Sequence, residues 1–194
     1  HLLTEWIWID MNIINLLFRL FLTFNATSLI LVVYMVKEQI VINSISCYLA
    51  NLPHWVSYVL YFSVPVIFTF LSLLLSNKLA DDNIEAEEGK SAIKDIEQAN
   101  NAYLPSYLGY FFVALSVNYC DTLIFVFAIL FLFTFLSQTL YFNPLFLVFG
   151  YHFYYLNTEN NIKIFLITKR NLKDPRSLNF PNLKRINDFT FIEK

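Results

Sequence analysis

Charge is scarce in this 194-residue sequence: Asp, Glu, Lys and Arg together make up 14% of it, against about 25% in an average soluble domain. So few charges cannot coat a water-facing surface. With 57% hydrophobic residues and a mean hydropathy of +0.53, the chain reads as a membrane protein. Glycine is equally sparse, at three residues, which excludes a collagen-like or linker-like chain, and the high apolar content excludes intrinsic disorder. Cys47 and Cys120 are the only cysteines, too few for a disulfide scaffold. Isolated Gly89, Gly109 and Gly150 form no phosphate-binding loop, and neither a HExxH motif nor a nucleophile elbow occurs. His1, His54 and His152 are the only histidines, and the topology below separates them. No catalytic site, metal or cofactor is therefore expected.

Four apolar stretches take up a little over two fifths of the chain. A helix rising about 1.5 Å per residue needs about 20 apolar residues to cross a hydrocarbon core roughly 30 Å thick. Residues 13–36 and 54–76 meet that length. A third apolar block, interrupted only by Asn118, Tyr119, Cys120 and Asp121, is too long for one span. A charge at the bilayer centre costs at least about 2.5 kcal/mol, so Asp121 belongs at an interface. The block then divides into a third span, 103–117, an outer turn, 118–121, and a fourth span, 122–142. The third is short and implies local bilayer thinning or shielding by neighbours, with a re-entrant helix as the alternative. Pro65, inside the second span, removes one backbone hydrogen bond and predicts a kink, with Ser63 or a neighbouring helix serving the freed carbonyl. Residues 1–12 form an N-terminal segment; Met11 directly precedes the first apolar run, so 1–10 reads as upstream or added sequence, or through Trp6, Ile7 and Trp8 as an interfacial anchor.

Basic residues near helix ends favour the cytoplasm. The connector 37–53 carries only Lys37, whereas 77–102 carries Lys78, Lys90 and Lys94, and 143–194 holds most of the remaining cations. Four spans place those two basic-bearing pieces and the N-terminus together in the cytoplasm, with 37–53 outside. The expected class is an all-α polytopic membrane protein: four transmembrane helices with a small cytoplasmic tail containing a β-hairpin.

Outside the spans, 77–102 is acidic and rich in helix formers, and reads as a connecting helix pair broken at Gly89. Asp81, Asp82, Glu85, Glu87 and Glu88 are its candidate acidic surface for a partner. In the tail, Leu147–Leu156 and Ile162–Thr168 flank a polar turn as a β-hairpin, and Phe189–Ile192 is a candidate third strand. Lys169, Arg170, Lys173 and Arg176 are candidates for contact with anionic inner-leaflet lipid or a partner. Interleaved Asp174 argues against direct nucleic-acid binding.

Within the first span Asn15, Arg19, Thr23 and Thr27 recur every fourth residue, with Asn25 and Ser28 nearby. That spacing makes a polar stripe, a candidate seam between helices or subunits, although Arg19 alone can also snorkel to the headgroups. Cys47 and Cys120 both fall outside the membrane in this topology, as a disulfide or as two unpaired thiols.

The layout of four spans, a short acidic inner loop and the tail NPLFLVFGYHFYYLNTENNIKIFLITKRNLKDP, from Asn143 to Pro175, resembles the KwaA family, the membrane subunit of the Kiwa anti-phage defence system. The resemblance runs from about Met11 onward and rests on layout and tail texture. It implies a bacterial inner-membrane homo-oligomer, a tetramer, that senses phage attack at the envelope and works with a cytoplasmic DNA-binding effector, KwaB. The residues and the resemblance together point to a non-enzymatic sensor and scaffold. The alternative is a subunit of a small oligomeric channel or transporter lined by Asn15, Arg19, Thr23 and Thr27.

Overall fold

The computed structural model describes residues 2–42, 53–84, 93–102, 104–137, 143–175 and 178–194. Among them run five α-helices: α1 (Leu2–Lys37), α2 (His54–Leu75), α3 (Leu104–Ser116), α4 (Cys120–Ser137) and α5 (Leu145–Val148). A 3-10 turn, Ser76–Lys78, extends α2. Three of these helices are long and apolar enough to cross a membrane, over Ile13–Lys37, His54–Lys78 and Cys120–Ser137. α3, with 13 residues, reaches only about 20 Å. Local chemistry sets the ends. α1 stops where Gln39 adopts a left-handed backbone with φ 54°; the Ile40 N–H then donates to the Met35 carbonyl at 3.0 Å and the Gln39 N–H to that of Val36 at 3.1 Å, closing the last turn. α4 begins with Asp121 in its first turn, where the positive end of the helix favours a carboxylate.

The strands overturn the expected all-α class, because the protein is mixed α/β. β1 (Asp81–Ile84), β2 (Ile93–Gln98), β3 (His152–Thr158), β4 (Lys163–Thr168), β5 (Phe180–Asn187) and β6 (Thr190–Glu193) form one sheet of order β1-β5-β6-β4-β3-β2. Neighbours are antiparallel except β4 and β6, which run parallel. β3 and β4 occupy the expected hairpin, but Leu147 and Val148 belong to α5 instead of the first strand. β6 lies on the expected third strand, and β5 was not foreseen, since Pro181, Lys184 and Arg185 break its apolar alternation.

The segment 77–102 is the larger correction. Where a helix pair was expected, Asp81–Ile84 and Ile93–Gln98 are the two edge strands of the sheet. Edge strands face water on one side and tolerate charge there, which also discourages pairing with other chains. Helix propensity is a weak prior of under ~1 kcal/mol per residue, and the backbone bonds offered by β3 and β5 outweigh it.

The chain forms two compact units, one of His1–Phe21, Ser72–Ala102 and Pro144–Lys194, the other of Leu22–Leu71 and Tyr103–Asn143. In the first, β3 and β4 are buried on both faces. Tyr154, Leu156, Ile164 and Leu166 join Leu172, Leu178, Phe180, Leu183 and Phe191 on one side. On the other, Phe153 stacks on Phe165 at 5.6 Å and meets Phe146 of α5 at 6.1 Å. Gly150 lets the chain turn from α5 into β3: at φ 76° it permits the Tyr151 N–H to reach the Phe146 carbonyl at 3.1 Å.

In the second unit, residues 22–30 of α1 are buried except for half-buried Phe24, which marks α1 as its inner helix. Phe24 meets Phe68 of α2 and Phe127 of α4, and the Tyr107 hydroxyl of α3 donates to the Ala26 carbonyl at 2.8 Å. Leu104, Leu108, Phe112 and Leu115 leave the outer face of α3 bare, as do Phe125, Phe133 and Leu136 on α4. An apolar exterior of this kind is paved for lipid. Lys37 closes one end: its ammonium donates to the Val117 carbonyl just past α3 and pairs with Glu38 at 3.1 Å.

A Cβ on Gly150 would meet nothing within 4 Å, so the strain of Gly150→Ala is confined to the backbone. It should cost about 1 kcal/mol, with Gly150→Asn costing less, as read by thermal unfolding of the purified protein in detergent.

Candidate functional site

Pro65 has no N–H to give to the turn before it, so α2 is one backbone bond short inside an apolar segment. Asn25 of α1 meets α2 there. With its amide oriented to satisfy every neighbour, Asn25 Nδ2 donates to the Pro65 carbonyl at 3.1 Å. Its Oδ1 accepts from the Thr69 hydroxyl at 2.8 Å, from the Thr69 backbone N–H at 3.2 Å and from Asn143 Nδ2 at 2.9 Å. The Thr69 hydroxyl also lies 2.8 Å from the Pro65 carbonyl, and Asn143 Nδ2 lies 3.0 Å from it. Asn25, Thr69 and Asn143 are all buried. A side chain of α1 has entered the α2 hydrogen-bond ladder one turn past the proline, the kind of insertion that bends a helix. Ser63 does not serve the Tyr61 carbonyl that the proline frees, because its hydroxyl donates to the Val59 carbonyl at 2.7 Å. One hydroxyl near the kink, that of Tyr61, is buried without a partner.

The expected stripe on α1 divides. Thr23 and Thr27 are fully buried, while Asn15 and Arg19 are half-buried. The Thr27 hydroxyl turns back to the Thr23 carbonyl at 2.9 Å and Ser28 to that of Asn25 at 2.7 Å, which satisfies them within their own helix. Asn25, which lies off the four-residue stripe, carries the contact between α1 and α2. The readable signal was Thr69, four residues after Pro65, at the spacing where a threonine hydroxyl can reach the proline carbonyl.

The basic tail divides as well. Arg170 is a fastener: its Nη1 pairs with Glu193 at 2.7 Å and donates to the Asn179 carbonyl at 3.2 Å, while its guanidinium covers Phe180. Lys169 lies over the Tyr151 ring at 5.0 Å. Lys173 is exposed, and Arg176 lies outside the described residues. On the acidic side, Asp82 pairs with Arg185 at 2.7 Å and Asp81 with Lys184, both across the β1–β5 edge. Glu85, Glu87 and Glu88 lie outside the described residues, as does Cys47; Cys120 is exposed at the start of α4. His152 bonds Asn100 at 3.1 Å and His54 is exposed. Among the described residues no group of three His, Cys, Asp or Glu side chains could hold a metal.

Residues 18–192 match the family model described as anti-phage protein KwaA. The chain belongs to the KwaA anti-phage protein family. No curated protein and no solved structure matches it. The KwaA match begins in the middle of α1 and ends in β6, so the whole second unit, most of the first and the Asn25, Pro65 and Thr69 cluster fall inside it.

Replacing Asn25 by Leu removes one hydrogen-bond partner from each of the Pro65 carbonyl, Thr69 and the Asn143 amide. The expected loss is about 1–2 kcal/mol, the upper range for hydrogen bonds between helices in lipid. Ser63→Ala should be close to neutral, and reversible unfolding in mixed micelles would compare the two.

Proposed function

We propose that this KwaA-family chain is a non-enzymatic sensor and scaffold in the bacterial inner membrane. It assembles as a homo-oligomer, responds to disturbance of the envelope on infection, and recruits or activates a cytoplasmic DNA-binding effector resembling KwaB. The observation that carries this reading is the composition of the sheet. β1 and β2 precede α3 and α4 in sequence, whereas β3 to β6 follow them, yet all six strands share one hydrogen-bonded ladder. A ladder cannot form across a bilayer, so 77–102 and 143–194 belong on one side. α4 is long enough to cross, and its crossing then has to be undone by α3 despite that helix's short reach. Both termini and the sheet stand in the cytoplasm by the basic-residue bias.

Coupling follows from short joints. Five residues separate α2 from β1, and five separate β2 from α3. A change in how the helices pack therefore reaches the sheet without a long loop to absorb it. Sensing of this kind requires two packings with different affinity for stimulus or effector, and a kink held by one asparagine is a suitable pivot. The channel reading gains no support from the polar stripe, because Thr23 and Thr27 are buried within one chain.

The test is co-purification of the effector and phage plating in cells carrying the full chain, with Asn25→Leu and Pro65→Ala. Wild type should retain the effector. Either variant, at unchanged membrane content, should lower protection by about tenfold, the effect of biasing a two-state equilibrium by ~1.4 kcal/mol. Selective conductance of the protein alone in liposomes, with protection independent of any effector, would overturn the proposal.

A further inference from the structure

Ile14, Leu17, Phe18 and Phe21 stand at i, i+3, i+4 and i+7 of α1 and so share one face. With Leu75 at the end of α2 they line a groove of about 370 Å³, and Lys78 completes its wall. Phe18 is buried at 6% exposure, whereas Leu17 stays 59% exposed and Leu75 42%, so the groove is open along its length. It lies at the end of a helix apolar enough to cross a membrane, with an exposed ammonium beside it.

That ammonium has cationic company. Lys184 donates to the carbonyl of Leu79, the residue after Lys78, at 3.1 Å, and Lys194 donates to that of Leu73 at 2.7 Å. Lys194 is held below the ordinary lysine range by burial and then by the charges of Lys169 and Lys184. Asp81, paired with Lys184, neutralises one of these cations. The end of α2 therefore carries a surplus of positive charge directly beside an apolar slot.

We propose that this groove binds an anionic phospholipid, one acyl chain lying along Ile14, Leu17, Phe18 and Leu75 and the phosphate held by Lys78. An alkyl chain satisfies the slot because it brings no polar group to leave unpaired, and each buried methylene favours it. A phosphate satisfies Lys78 and screens the repulsion among Lys169, Lys184 and Lys194. The assignment does not depend on effector recruitment.

The experiment is native mass spectrometry of the full chain released from nanodiscs of phosphatidylglycerol mixed with phosphatidylcholine. Wild type should retain phosphatidylglycerol in preference. Lys78→Gln should lower that preference about fivefold, and Leu17→Trp should fill the slot and reduce retention of both lipids. Equal preference in wild type and Lys78→Gln would overturn the proposal. So would a Leu17→Trp protein that keeps its lipid but changes oligomeric state, which would assign the groove to a second copy of the chain. Because Lys78 is exposed, its variant tests the phosphate contact even if Leu17→Trp fails to fold.

Discussion

Backbone hydrogen bonds join Asp81–Ile84 to Phe180–Lys184 and Ile93–Gln98 to Tyr154–Thr158, and the rest of the structure is arranged around that fact. These pairs connect segments separated in sequence by two apolar helices. In water each strand would be too short and too charged to persist, and a hairpin alone is marginal. Placed at the edges of β3 and β5, the same segments supply the ladder partners that those strands need and keep their carboxylates in solvent. The requirement also bears on α3, whose 13 residues fall short of an ordinary span: if α4 crosses the bilayer, the chain between β2 and α4 has to cross it too.

Much of this was legible in the sequence, and the limits have physical reasons. Helix positions follow from apolar runs and their interruptions, so α2 and α3 begin and end within about two residues of the expected bounds. β3, β4 and β6 were visible because aromatic and β-branched residues cluster there. β1 and β2 were not, since their stability comes from partners more than 50 residues away and their own composition argues for helix or loop, and β5 was not because Pro181, Lys184 and Arg185 interrupt its apolar alternation. The same locality explains Asn25. Spacing along one helix identifies a face but not the neighbour, and the partner of Asn25 is a proline kink on another helix.

The cations of the tail teach a related point. Lys169, Arg170 and Lys173 look alike as a run of charge, yet burial and geometry give them separate work. Arg170 presents a planar fork and is tied to Glu193 and Asn179 above Phe180, as guanidinium chemistry favours. Lys173 stays in solvent. Lys184 and Lys194, unremarkable in sequence, reach the carbonyls of Leu79 and Leu73. A charge run therefore predicts the sign of a surface better than it predicts which residues act there.

The joint between the end of α2 and the sheet is held by hydrogen bonds as well as by chain connection. Residues 76–80 form no free loop: Ser76 bonds the Leu73 carbonyl, Lys184 that of Leu79, and the Arg185 N–H that of Ala80. Each of these bonds is worth about 1 kcal/mol, and the latter two fasten the end of α2 to strand β5. The ladders that β5 shares with β1 and β6 hold more bonds than this joint, so under load the joint yields before the sheet does.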